Sequence, residues 1–369
     1  MRHSDLGQED FAANAVRLSP RQWVLAGIVV AAVLVAAPAG WERAEAFSPG
    51  ADYRLPYELS EDYWLFARWA RLARQRGRTL LVGDSVIWGH YAPPDGTLSA
   101  HLNRLAGREG FANLGVDGIH PAALAGLIEH HGKAVAGGRV VLHFNPLWLA
   151  SPAHDLRPAG REARLNHPRL VPQLFTRVGA YRASAAERLA VVVERRLSFA
   201  NWAGHIRAAY FGGDGLPAWS LDHPYACPIQ AVGRGLPAPA PAPRHRAVSW
   251  RQRHIEPRDF PWVELEDSLQ WRLFRRVVEV LQGRGNRLFV VVGPFNEHLL
   301  TGASLAAYTA RKRQIRDWLE RSGIDHLVPP ALASDAYADA SHPLSAGYAV
   351  LARRLLDEPS FAAFQGGTE

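Results

Sequence analysis

The chain has 369 residues, enough for one large domain or two ordinary ones with a sizeable buried core. Apolar residues make up 48% and charged residues 21%, which excludes disorder, collagen and coiled coil as its main class. The formal net charge of +7 is dispersed, with clusters as short as Arg275-Arg276 and Arg311-Lys312-Arg313, so nucleic acid is not an expected partner. The single cysteine, Cys227, leaves no means for an internal disulfide, a cysteine-based zinc site or an iron–sulfur cluster.

Gln22 to Trp41 is a run of twenty residues without a charge. As a helix it would be about 30 Å long, the thickness of a bilayer core, with Trp23 and Trp41 at the two interfaces. The leader, residues 1–21, carries Asp5, Glu9 and Asp10 and is long and mixed for a signal peptide, so 22–41 is predicted to be an uncleaved transmembrane anchor. Cleavage after Ala39 or Ala46 is the alternative. Arg2, Arg17 and Arg21 precede the run and Arg43 and Arg54 follow it, a slight positive-inside bias. It predicts a cytoplasmic leader and a single-pass inner-membrane protein, with residues 42 onward on the extracytoplasmic, periplasmic side.

Residues 42–78 read as a linker, Pro49 to Pro56, followed by a helix with Leu65, Trp69 and Leu72 at helical spacing and a stop near Gly77. Strands are then predicted at Thr79–Val82, Phe111–Val116, Arg139–Phe144, Arg287–Val292 and His326–Val328. Helices are predicted at Leu98–Leu105, Pro121–His130, Leu269–Leu281, Leu305–Arg321 and Leu344–Leu356. Apolar strands alternating with helices imply an α/β domain over 79–358 with a central, mostly parallel sheet covered on both faces. The interval 151–259 breaks this rhythm and reads as an insertion over the sheet, with helical character at Tyr181–Phe199 and an extended proline-alternating run at 236–243. Residues 359–369 read as a tail.

Gly83-Asp84-Ser85-Val86-Ile87-Trp88-Gly89 closes the first strand, placing Ser85 at the carboxyl edge of a parallel sheet, where such folds bind ligands. A serine hydroxyl is a weak nucleophile until a base takes its proton. Asp339-Ala340-Ser341-His342 supplies one, because a carboxylate three residues before a histidine can hold the imidazole in one tautomer and orient it.

These residues resemble the blocks of the SGNH (GDSL-type) hydrolases. Ser85 fits the serine, Gly115 in Asn113-Leu114-Gly115 the second-block glycine, and Asn145 in His143-Phe144-Asn145-Pro146 the third-block asparagine. Asp339 and His342 fit the last block. The third block usually reads Gly-x-Asn-Asp; here His143 replaces the glycine and Pro146 follows Asn145. The resemblance covers roughly Thr79 to Leu356, outside the insertion. It implies a three-layer sandwich of flavodoxin-like type and acyl transfer through an acyl-serine. Ser85, His342 and Asp339 would form the triad, with Ser85 N–H, Gly115 N–H and the Asn145 amide as the oxyanion hole. It implies no cofactor and no metal. The acceptor would be water or a carbohydrate hydroxyl. Anchored relatives of this layout act beside polytopic membrane acyltransferases in acetylating envelope or exported polysaccharides, so such a carbohydrate and such a partner are expected. The rival expectation is a non-catalytic accessory subunit with a vestigial triad.

Other candidates carry less. Glu129-His130-His131 reads as a solvated helix end and not as a metal site. His298 can line the cleft. Gly283 and Gly285 precede a strand, so they do not form a phosphate cradle. Trp88 and Trp148, each three residues from a candidate site residue, can stack on a sugar or pack in the core.

Overall fold

Five short strands, β1 (Thr79–Gly83), β2 (Phe111–Gly115), β3 (Arg139–Phe144), β4 (Arg287–Val292) and β5 (Asp325–Leu327), form one sheet. All neighbours pair in parallel, in the order β2-β1-β3-β4-β5. The computed structural model describes residues 18–157, 165–233, 235–236 and 247–366. The leader up to residue 17 and nearly all of the proline-alternating run lie outside the described residues.

β1, β3 and β4 are largely apolar because side chains on both faces are covered, whereas the edge strand β5 is partly exposed. Leu80, Val82, Val140, Leu142, Val290 and Val292 share one core with residues of helices α2 (Tyr63–Gln75), α5 (Pro121–Gly126), α10 (Leu269–Gly283) and α11 (Gly302–Arg321). The alternate residues Leu81, Val141, Phe289 and Val291 share a second core with α4 (Leu98–Ala106), α12 (Ser345–Leu356) and α13 (Pro359–Gly366). This is the period-2 alternation of a strand buried on both sides.

Helix α13 corrects the expected tail. Phe361 and Phe364, three residues apart, are fully buried against Phe289, which anchors the segment as a helix. The helix expected over Pro121–His130 ends early as an α-helix and widens into a π-turn at Leu127–His131.

The interval 151–259 is not one layer. Leu156, Leu170, Val171 and Val178 belong to the first core, while Trp250 packs with Phe260, Phe295 and Tyr308 in a third cluster. Between them come α6 (Ala185–Glu194), α7 (Ser198–Tyr210), α8 (Leu216–Asp222) and α9 (Pro228–Ala231). The helical character expected over Tyr181–Phe199 is divided between α6 and the start of α7, with a break after Glu194 where Arg195 turns inward and donates to the carbonyls of Arg169 and Val171.

The N-terminal apolar run lies in helix α1 (Pro20–Ala44), long and apolar enough to cross a membrane. Its residues from Trp23 to Val35 expose large apolar side chains, whereas Pro38 is buried against the domain. The far end of α1 is tied down. Glu42 pairs with Arg71, and Glu45 pairs with Arg68 at 2.6 Å. Glu45 also accepts from Tyr210 at 2.6 Å and faces Nε2 of His205 at 3.0 Å, while Nδ1 of His205 faces Asp62 at 2.6 Å. His205 and Glu45 are fully buried here, so α1, α2 and α7 share one charged lock.

Candidate active site

Strand β1 stops at Gly83, and Asp84 caps the short helix α3 (Ser85–Trp88) by accepting from Val86 N–H at 3.0 Å. Gly89, at φ +88°, ends it in the left-handed region that glycine tolerates. The turn sits hard against the next strand. A Cβ on Gly115 would lie 2.2 Å from the Trp88 nitrogen, so only glycine lets the Ser85-bearing turn approach β2.

His342 arrives from the loop before α12. Asp339 Oδ1 accepts the backbone N–H groups of Ser341 and His342, both at 3.0 Å, a local turn that fixes carboxylate and imidazole together. His342 Nδ1 lies 2.8 and 2.9 Å from the two Asp339 oxygens, and its Nε2 lies 2.8 Å from Ser85 Oγ. The sheet thus brings together three residues separated by up to 257 positions. Burial disfavours the imidazolium, but the Asp339 carboxylate outweighs it and holds the His342 pKa above the ordinary histidine value. Burial would raise Asp339, but His342 and the two backbone donors hold its carboxyl far below the usual range. A neutral His342 donating Nδ1–H to Asp339 keeps its Nε2 lone pair for the Ser85 proton.

The other two expected residues stand beside the triad with their polar groups engaged. Gly115 N–H donates to Asn113 Oδ1 at 2.9 Å, and Asn113 Nδ2 donates to Ile87 O at 2.8 Å. Asn145 Nδ2 donates to Asp84 Oδ2 at 2.8 Å, and its Oδ1 accepts from Leu147 N–H. For Ser85 N–H no acceptor is found among the described residues.

Asp84 is the buried hub that links these parts. Besides Val86 and Asn145 it accepts from Trp148 Nε1 at 3.0 Å and faces His143 Nδ1 at 3.3 Å. His143 Nε2 donates to Gly293 O at 2.9 Å, so the residue in the glycine's place ties β3 to the end of β4. Burial pushes the Asp84 carboxyl up, but its donors, His143 first, bring it below the ordinary value.

Sequence reasoning missed a second histidine–carboxylate pair. His90 Nδ1 lies 2.6 Å from Asp117 Oδ1, and its ring centroid is 5.3 Å from that of His342. The only signal was position, because both residues follow strand ends. Tyr91 lies edge-on to His342 at 5.6 Å and accepts from Arg253 at 2.6 Å. Trp88 is buried, with Arg54 stacked on its ring at 3.9 Å, so it packs in the core and offers no face to a sugar. His298 faces the Leu332 carbonyl at 3.0 Å. His131 is buried against Tyr63 and not solvated.

No protein-family model matches the chain, and no curated protein sequence matches it.

Proposed function

We propose that the chain is a membrane-anchored serine acyl esterase or O-acyltransferase of SGNH type, with its domain on the extracytoplasmic side. The observation that carries this reading is the Ser85–His342–Asp339 chain of hydrogen bonds at the carboxyl edge of the sheet. The two cores flanking one parallel sheet support the three-layer arrangement of that family.

In this mechanism Ser85 Oγ attacks the ester carbonyl while His342 Nε2 takes its proton. The tetrahedral intermediate collapses, the C–O bond to the leaving alcohol breaks, and His342 returns the proton to that alcohol. An acyl-serine remains. Water or a carbohydrate hydroxyl then gives its proton to His342 and takes the acyl group, which restores Ser85. Ser85 N–H stands ready for the oxyanion. Gly115 N–H and the Asn145 amide would have to exchange or share their present partners to join it. Acetyl esters of an envelope or exported carbohydrate are the favoured substrates, by analogy of layout.

The engaged Gly115 and Asn145 donors favour the second reading, a non-catalytic subunit beside a polytopic membrane acyltransferase. A fluorophosphonate separates the two. It should modify Ser85, as peptide mass analysis would show, and Ser85→Ala and His342→Ala should each abolish nearly all esterase turnover without adding. Asn145→Ala should lose roughly 100-fold if its amide serves the oxyanion. A folded wild type that is inert to the probe and to esters, with Ser85→Ala still supporting its cellular role, would establish the accessory reading.

A further inference from the structure

Between α1, α2, the turn at 127–134 and the α6–α7 connection lies a cavity of about 680 Å³, on a different set of elements from the triad. One wall is the anchor itself, through Val35, Pro38 and Ala39. The opposite walls carry Arg71, Lys133, Arg195 and Arg196. Two carboxylates also line it, and both are already paired: Glu42 with Arg71, and Glu129 with Arg276 at 2.8 Å. Lys133, Arg195 and Arg196 therefore leave uncompensated positive charge in the cavity. Arg195 spends its donors on carbonyls and His130, while Lys133 and Arg196 are exposed and pair with no carboxylate among the described residues.

The position of the cavity selects its ligand. Large apolar side chains of α1 are exposed from Trp23 to Val35, and the helix meets the domain from Pro38 onward. With that exposed stretch in a bilayer, Val35 to Ala39 stands where acyl chains give way to headgroups. A basic pocket at that depth, open to the lipid along Val35, matches the phosphate and chains of one lipid molecule. We propose that the cavity holds the headgroup of an anionic phospholipid, whose phosphate sits between Lys133 and Arg196 and whose chains run along the Val35 side of α1. The inference rests on α1 lying in a bilayer and is independent of whether Ser85 is a nucleophile.

The test uses the full chain in detergent, offered equal amounts of phosphatidylglycerol and phosphatidylcholine, with retained lipid counted by native mass spectrometry. One phosphatidylglycerol should be retained with roughly 30-fold preference, as two cations near an anionic surface predict. Lys133→Gln with Arg196→Gln should abolish the preference, and Lys133→Arg with Arg196→Lys should keep it. Equal retention of the two lipids, or a preference that survives the glutamine pair, overturns the proposal. Displacement of the lipid by inorganic phosphate at constant ionic strength would also overturn it, by making this a site for soluble anions. A photoreactive phosphatidylglycerol tests the location without any variant. It should label Val35–Ala39 or residues 127–134, and labelling confined to other segments overturns the assignment.

Discussion

The chemistry of the triad rests on how Asp339 divides its oxygens. Oδ1 serves both backbone donors and the imidazole, so the loop presents His342 to Ser85 already oriented. The same carboxylate lifts the His342 pKa, and this fixes the sign of the pH dependence. In the proposed mechanism His342 must be neutral to act as the base, so kcat/KM on an ester should rise with pH through a midpoint above the ordinary histidine value of 6.5. Asp339→Asn removes the group that lifts it, so the acid limb of the surviving activity should move to lower pH. A limb that stays in place, measured on a small ester, would show that another group controls it. Ser85, His342 and Asp339 were legible in the sequence because each motif is local: a strand-end turn and a four-residue carboxylate–histidine loop. The partners of Asp84 were not legible. His143, Asn145 and Trp148 converge on it from β3 and the turn beyond, and nothing in their spacing announces a shared acceptor.

Elements long enough to repeat their period were read within a few residues. β3 and β4 lie where the apolar runs place them, because a strand covered on both faces needs an unbroken apolar sequence. Helix α13 escaped because eight residues offer too few turns to show a pattern, and tertiary burial of two phenylalanines decides its state. The α3–β2 contact was visible only as a glycine. Gly115→Ala should destabilise the fold by about 1–3 kcal/mol through overpacking against the Trp88 backbone, and should weaken activity by shifting Ser85. Unchanged thermal unfolding in that variant would mean the turn has room that the geometry denies. The α1–α7 lock makes a prediction in the opposite pH direction. Burial disfavours the His205 imidazolium, but Asp62 and Glu45 raise its pKa to about 9 from 6.5. The folded state therefore holds this proton more tightly. The stabilisation is complete below about pH 6.5 and is lost as pH rises through about 9, a change on the order of 3 kcal/mol. Unfolding measured on both sides of this window should show the loss in the wild type and not in His205→Gln.

At the scale of the molecule, the sequence indicated a membrane helix and an α/β domain but not how one is set on the other, since Glu45, Asp62 and His205 meet from three separate segments. The two ion pairs define that setting. Glu42 meets Arg71 and Glu45 meets Arg68, so α2 clasps the C-terminal end of α1. Because this clasp draws on three separate segments, a pull on the exposed apolar stretch of α1 would reach α2 and α7 first, through Glu45 and His205, before it reached the sheet that carries Ser85.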